Sequence, residues 1–201
     1  MPEQTSPSSQ QIVLFHHAQG LTPGVIAFAD RLRAAGHAVH TPDLYEGRTF
    51  TDLDEGIGYA QQTSFDVIGE RARDAADEIG EKLVYAGFSL GAMPAQQLAQ
   101  TRPGAVGALL FHSCIWLGEF GDPWPDGVPV QIHGMTEDPF FSEPDGDLDA
   151  ARALVAATSD AELFLYPGDK HLFADSSLQS YDKGAADLLT ERTLEFLGRL
   201  G

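Results

Sequence analysis

The sequence predicts an open, mostly parallel α/β sheet with helices on both faces, folded as one domain over residues 11–201. Three observations carry that expectation. Short apolar runs such as Ile12-Val13-Leu14-Phe15 and Leu83-Val84-Tyr85-Ala86 lack polar alternation, as strands covered on both faces require. They alternate with segments of helical periodicity, and strand–helix–strand units of this kind build parallel sheets through right-handed crossovers. The length of 201 residues suits a single domain with a full core.

Taken in order, residues 1–10 are rich in Ser, Pro and Gln and read as a disordered tail, with no basic or apolar segment of the signal-peptide kind. Ile12 to Phe15 is the first strand, and His16 to Gly24 is a polar, glycine-bearing loop. Val25 to Ala35 reads as a helix, with Ile26, Phe28, Ala29 and Leu32 at helical spacing and Gly36 as its stop. Ala38 to Thr41 is a second strand closed by Pro42-Asp43. Tyr45 to Gln62 lacks clear periodicity and reads as a solvated excursion; its acids Asp52, Asp54 and Glu55 have no His or Cys beside them to make a metal site. Phe65 to Ile79 is an amphipathic helix ended by Gly80. Leu83 to Ala86 is the third strand, and Leu90 to Thr101 the helix after it, with Pro94 inside its first turns as a local conflict. Strands follow at Val106 to Phe111, Val128 to His133 and Glu162 to Tyr166, with helices at Leu148 to Ala157 and Ala185 to Leu200. No apolar run approaches the roughly 20 residues a membrane helix needs.

A hydrophobic share of 43% and a mean hydropathy of −0.15 are those of an ordinary globular domain. The formal charge of −18 sets nucleic-acid binding aside and disfavours strongly anionic substrates. The single cysteine, Cys114, excludes an intramolecular disulfide and reads as a small buried hydrophobe, so a reducing, cytoplasmic setting is expected.

The chemistry starts at Gly87-Phe88-Ser89-Leu90-Gly91, a G-x-S-x-G pattern with a strand before it and a helix after it. Such a nucleophile elbow raises the serine hydroxyl above the sheet on a sharp turn, and its glycines leave room where strand and helix pass closely. A serine nucleophile needs a histidine to take its proton and an acid to hold that histidine's tautomer. His133-Gly134-Met135-Thr136-Glu137-Asp138-Pro139 follows the fifth strand, and Pro167-Gly168-Asp169-Lys170-His171 follows the sixth. Ser89, Asp138 and His171 thus come in the order Ser, acid, His, each from a strand's carboxyl end, where open α/β sheets place their sites. Asp138 is preferred to Glu137, and Asp169 reads as a turn former. The oxyanion donors should be the backbone N–H of Leu90 and one from the early loop, for which Ala18 is the candidate. His17, Arg48, Trp116 and Phe140 are candidate substrate-binding side chains on loops of the same edge. The adjacent pair His16 and His17 should point opposite ways, which argues against a shared metal.

These residues resemble the dienelactone hydrolase family of the α/β-hydrolase fold over essentially residues 11–200: the first strand and Gly20 loop, Thr41 to Tyr45, the elbow through Ala92, Asp138-Pro139, Tyr166 to Phe173, and Tyr181 before a last helix. The resemblance implies hydrolysis of an ester or lactone through an acyl-enzyme, without metal or cofactor. Two departures stand out. Founding members carry a cysteine nucleophile restrained by a glutamate, where this chain has Ser89 and His17. Members that cleave dienelactones place a carboxylate-binding arginine just beyond the catalytic histidine, where this chain has Ala174-Asp175. The expected protein is a serine hydrolase acting on a small ester or lactone as a monomer or homodimer, away from membrane and nucleic acid. Acyl transfer or perhydrolysis by the same triad, and a silent binding module on the same fold, are the alternatives.

Overall fold

The computed structural model describes residues 9–121 and 123–200. Most of the expected tail lies outside the described residues. Its last two residues are tied to the domain: the Ser9 hydroxyl donates to the Gly36 carbonyl at 2.8 Å, and the Gln10 carbonyl accepts from the Ala38 N–H at 2.9 Å.

Six parallel strands form one sheet: β1 (Gln11–Phe15), β2 (Ala38–His40), β3 (Leu83–Phe88), β4 (Ala105–Phe111), β5 (Val130–Met135) and β6 (Ala161–Tyr166), in the order β2-β1-β3-β4-β5-β6. Helices α1 (Pro23–Ala34) and α6 (Lys183–Arg199) cover one face, and α2 (Leu53–Thr63), α3 (Phe65–Ile79), α4 (Ala92–Thr101) and α5 (Asp147–Ala157) the other. The strand residues divide accordingly. Ile12, Leu14, Val84, Ala86, Leu109 and Phe111 pack with Phe28, Leu32 and Phe196 on the first face. Val13, Phe15, Tyr85, Leu110 and Ile132 pack with Ile68, Ala72, Leu98 and Leu154 on the second. Burial on both faces is why the strands read as unbroken apolar runs.

Helix starts follow local chemistry. Thr22 caps α1 by accepting from the Val25 N–H, with Pro23 in the first turn, and Asp182 caps α6 through the Ala185 N–H. Asp52 caps α2 by accepting from the Glu55 N–H at 3.0 Å. Residues 53–63 of the expected excursion are therefore helical. Gly56 and Gly58 obscure the pattern, although Leu53, Ile57 and Ala60 stand at helical spacing. Gly56 is required by packing, since a Cβ there would meet the Ala18 carbonyl oxygen at 2.1 Å. Pro94 is also accounted for. The chain makes a 3₁₀ turn over Ser89–Gly91 before α4 begins at Ala92, so Pro94 is the third helical residue, where no intrahelical N–H bond is lost.

Candidate active site

The chain runs from β1 outward to β2, then crosses back so that β3 lies on the other side of β1. The carboxyl ends of β1 and β3 therefore flank the point where strand order reverses, the usual site crevice of an open α/β sheet. Ser89 follows β3 directly at φ 48°, in the left-handed region that a non-glycine residue occupies at a cost. Its flanking glycines are sterically fixed. A Cβ on Gly87 would meet the Gly91 carbonyl at 2.0 Å, and one on Gly91 would meet the carbonyl oxygens of Phe15 and His16 at 2.5 and 2.6 Å. The second close approach seats the elbow directly on the end of β1.

Ser89 Oγ lies 2.9 Å from His171 Nε2, and His171 Nδ1 lies 2.7 Å from Asp138 Oδ2. Because a carboxylate only accepts, Nδ1 carries the ring proton and Nε2 presents a lone pair to the serine hydroxyl. Asp138 is fully buried, whereas Glu137 is exposed. The other Asp138 oxygen accepts from the Phe140 N–H at 2.9 Å, and its backbone carbonyl accepts from Ser142. The Glu137 N–H donates to the Gly168 carbonyl at 2.8 Å, tying the acid loop to the histidine loop. Phe140 lies over His171, ring centroids 4.7 Å apart.

The loop after β1 is held by its two histidines, which do diverge. His16 Nδ1 is 2.8 Å from the His17 carbonyl, and its Nε2 accepts from the Leu44 N–H at 3.0 Å. Burial lowers the His16 pKa to about 4, so the ring is neutral. His17 turns the other way: Nε2 meets Asp175 Oδ2 at 2.8 Å, and Nδ1 accepts from the Gln19 N–H at 3.2 Å. Burial pushes the Asp175 carboxyl up, but bonds from His17, Ser177 and Thr22 outweigh it and leave the pKa lowered. Gln19 spans to the carbonyls of Phe50 and Thr51. Ala18, between these anchors, lines the same cavity as Ser89 and Leu90.

That cavity, about 200 Å³, is bounded by Ala18, Leu53, Ile57, Ala60, Phe65, Leu90 and Phe140, with Ser89, His171, His112 and Asp147 as its polar lining. A wider groove of about 810 Å³ touches His171 and Phe140 but not Ser89, and is lined with Gln19, Thr51, Asp169, Lys170 and Ser177 among others. A third hollow of about 630 Å³, beside Glu162 and Arg199, has Ser159 in its lining but no histidine to activate it.

Of the candidate substrate contacts, Phe140 borders both site cavities. Three others do not reach the cavity beside Ser89. His17 is sealed against Asp175, Arg48 is exposed with its guanidinium 5.3 Å from the Tyr59 ring centre, and the Trp116 N–H donates to the Asp145 carbonyl at 3.1 Å. The sequence reading missed His112, Asp147 and the α2 wall. His112 directly follows β4, and that position at a strand's carboxyl end was its available signal. Its backbone has φ 64°, its ring is fully buried, and neither ring nitrogen has a hydrogen-bond partner. Burial, with the neighbouring histidines His171, His17 and His133 adding to it, holds its pKa well below the ordinary value. An unmet buried polar group costs about 1–3 kcal/mol.

Fold and topology together define an α/β-hydrolase, with a polar constellation at the switch point. A model of the dienelactone hydrolase family matches residues 1–201, and the chain belongs to that family. None of the curated proteins matches it. Among solved structures it is similar to a candidate dienelactone hydrolase from Klebsiella pneumoniae, at 18% identity and TM-score 0.71, covering 98% of this chain and 90% of that one. It is similar to the dienelactone hydrolase-like promiscuous phosphotriesterase P91 from metagenomic libraries, at 21% identity and TM-score 0.76, covering 98% and 89%. It is also similar to Thermogutta terrifontis esterase 2 phosphonylated by cyclosarin, at 19% identity and TM-score 0.65, covering 98% and 84%. At such identities the likeness is one of fold. Among the described residues no helix is long and apolar enough to cross a membrane.

Proposed function

We propose that this chain is a serine hydrolase that cleaves an ester or lactone of a small molecule through an acyl-enzyme. The observation that carries the reading is the unbroken relay Ser89–His171–Asp138, with contacts of 2.9 and 2.7 Å. Membership of the dienelactone hydrolase family supports it.

In this reading Ser89 Oγ attacks the carbonyl carbon while His171 Nε2 takes its proton. Asp138 holds Nδ1–H and stabilises the imidazolium that forms. The backbone N–H groups of Leu90 and Ala18 receive the developing oxyanion. His171 then protonates the departing oxygen, and a water activated by the same nitrogen releases the acid. The leaving group must lie within reach of His171, so the wider groove touching that residue but not Ser89 takes the alcohol side. The small cavity shared by Ser89, Leu90 and Ala18 takes the acyl side. A lactone would span both.

A fluorophosphonate probe tests the reading, and the phosphonylated esterase of similar fold recommends that chemistry. Labelling of the protein but not of Ser89→Ala is expected; no labelling would favour a silent binding module. Product analysis in water against added alcohol or peroxide separates hydrolysis from acyl transfer. The lone, buried, unpaired Cys114 supports action in a reducing compartment, which we take to be the cytoplasm, as monomer or homodimer.

A further inference from the structure

The cavity beside Ser89 is apolar along most of its wall, yet two polar side chains border it that the relay does not use. His112 is fully buried, and both its nitrogens lack a partner. Asp147, the first residue of α5, accepts from the Cys114 N–H at 3.3 Å and from the Ser113 side chain, which leaves part of its acceptor capacity unused. Buried polar atoms are rarely left unmet in a folded protein without a ligand, an ordered water or a strained site to account for them. His112 also holds a left-handed backbone at φ 64°, the kind of conformation that persists where the surroundings fix it for a purpose.

We propose that this cavity selects an acyl group bearing a hydroxyl, and that His112 and Asp147 are its hydrogen-bond partners. The inference rests on the reading that Ser89 is the nucleophile and the cavity the acyl side; it adds the substrate class. A neutral imidazole offers one donor and one acceptor, and a carboxylate offers acceptors only. A hydroxyl can accept from the imidazole N–H and donate to the carboxylate, so it satisfies both. An ammonium could donate to the carboxylate and to the bare imidazole nitrogen, but it would carry a full charge into an apolar cavity, which costs far more than burying a hydroxyl. A carboxylate would face Asp147 across a small apolar space, and the overall charge of −18 adds to that repulsion. A plain alkyl chain would fill the space and leave His112 unmet. A site built to bond a substrate hydroxyl discriminates against the analogue lacking it, because the site's own polar groups then lose their partners.

The test uses binding, so that it stands apart from turnover. Ser89→Ala protein is titrated with butyramide and with 2-, 3- and 4-hydroxybutyramide, neutral carbonyl compounds that the relay cannot cleave. At least one hydroxyamide should bind about tenfold or more tightly than butyramide, the worth of one net hydrogen bond. That advantage should collapse to within about twofold when His112→Phe is added and, separately, when Asp147→Ala is added. The second variant covers the case in which the strained position 112 does not accept phenylalanine. The proposal is overturned if butyramide binds as well as every hydroxyamide, if none of them binds, if 3-aminobutyramide binds best, or if the advantage survives either substitution. Fluorophosphonate labelling separates the two readings. A hydroxyamide preference without Ser89-dependent labelling keeps the pocket chemistry and removes the hydrolase reading. Labelling without the preference does the reverse.

Discussion

Lowering the pH from 7.0 to 5.5 should cost this protein a large part of its stability, and the cause is three buried histidines. His16, His112 and His133 are all fully buried. Burial lowers the first to about 4, the second well below its usual value and the third to about 3. Their folded pKa values lie below the unfolded value near 6.5, so the native state keeps them neutral while the unfolded chain binds protons. Stability then rises with pH; it is complete above the unfolded pKa and is lost as pH falls from about 6.5 toward the folded values. Integrating between pH 7.0 and 5.5 gives about 1.2 kcal/mol per histidine, or about 4 kcal/mol for the three, a sizeable share of a typical 5–15 kcal/mol. Ordinary surface carboxylates are still ionised at pH 5.5, so relief of the protein's negative self-repulsion does not mask the effect. Asp147, whose carboxyl is raised by burial, works in the opposite sense but is a single group. Urea unfolding at both pH values and constant ionic strength reads the difference directly. His133→Gln should be less stable at both pH values yet lose about 1.2 kcal/mol less on acidification, because one proton is removed from the linkage. A stability that is unchanged or greater at pH 5.5 would refute the reasoning. The measurement also matters for function, since acid inactivation would otherwise be attributed to His171 alone.

Asp138→Asn should lower kcat by on the order of 10⁴, the loss that follows when the serine-protease aspartate is replaced in this way, because an amide can donate to Nδ1 and turn the ring proton toward Ser89. Steady-state hydrolysis of a short ester reads this; Glu137→Gln, on an exposed side chain, should stay within about threefold, and the reverse ranking would show the acid wrongly assigned. Gly91→Ala pushes the elbow away from the carbonyls of Phe15 and His16, separating Leu90 from the Ala18 loop, and should cost about 10²–10³ in kcat if the oxyanion donors are as proposed. Asp175→Asn leaves the loop sequence intact but weakens the tie to His17; kcat should fall with little change in KM, and a KM effect alone would point to a direct substrate contact instead.

The sheet was legible because its strands are buried on both faces and so appear as unbroken apolar runs, while helices α1 and α3 end at glycine stops, Gly36 and Gly80. The site's chemistry was legible for a related reason. A parallel sheet places every strand's carboxyl end on one edge, so residues just after β3, β5 and β6 could be brought together without knowing any distance. What escaped was whatever depended on packing. Helix α2 hid behind Gly56, which is glycine because the helix backbone rests on the Ala18 carbonyl and not because the chain turns there. Strand β5 runs to Met135, two residues past its expected end, which buries His133 between Gln131 and Tyr166. His112 offered only its position after a strand; its burial and its missing partners are facts of the folded state.

The two departures from the family pattern illustrate that limit best. In the sequence His17 and Asp175 are 158 residues apart and stand as separate oddities: one where founding members carry a glutamate, the other beside the place where dienelactone cleavers carry an arginine. In the structure they are one contact of 2.8 Å, closed off by Thr22 and Ser177. A cation that would receive a substrate carboxylate is therefore not merely missing. Asp175 accepts there from His17, Thr22 and Ser177, and the other ring nitrogen of His17 accepts from the Gln19 N–H, so the bonds of the pair turn inward to brace the Ala18 loop; these residues serve the proposed oxyanion site and leave the recognition of the substrate to the other wall. Polar recognition then falls to His112 and Asp147, across an otherwise apolar cavity, and a neutral acyl group suits both halves of that arrangement.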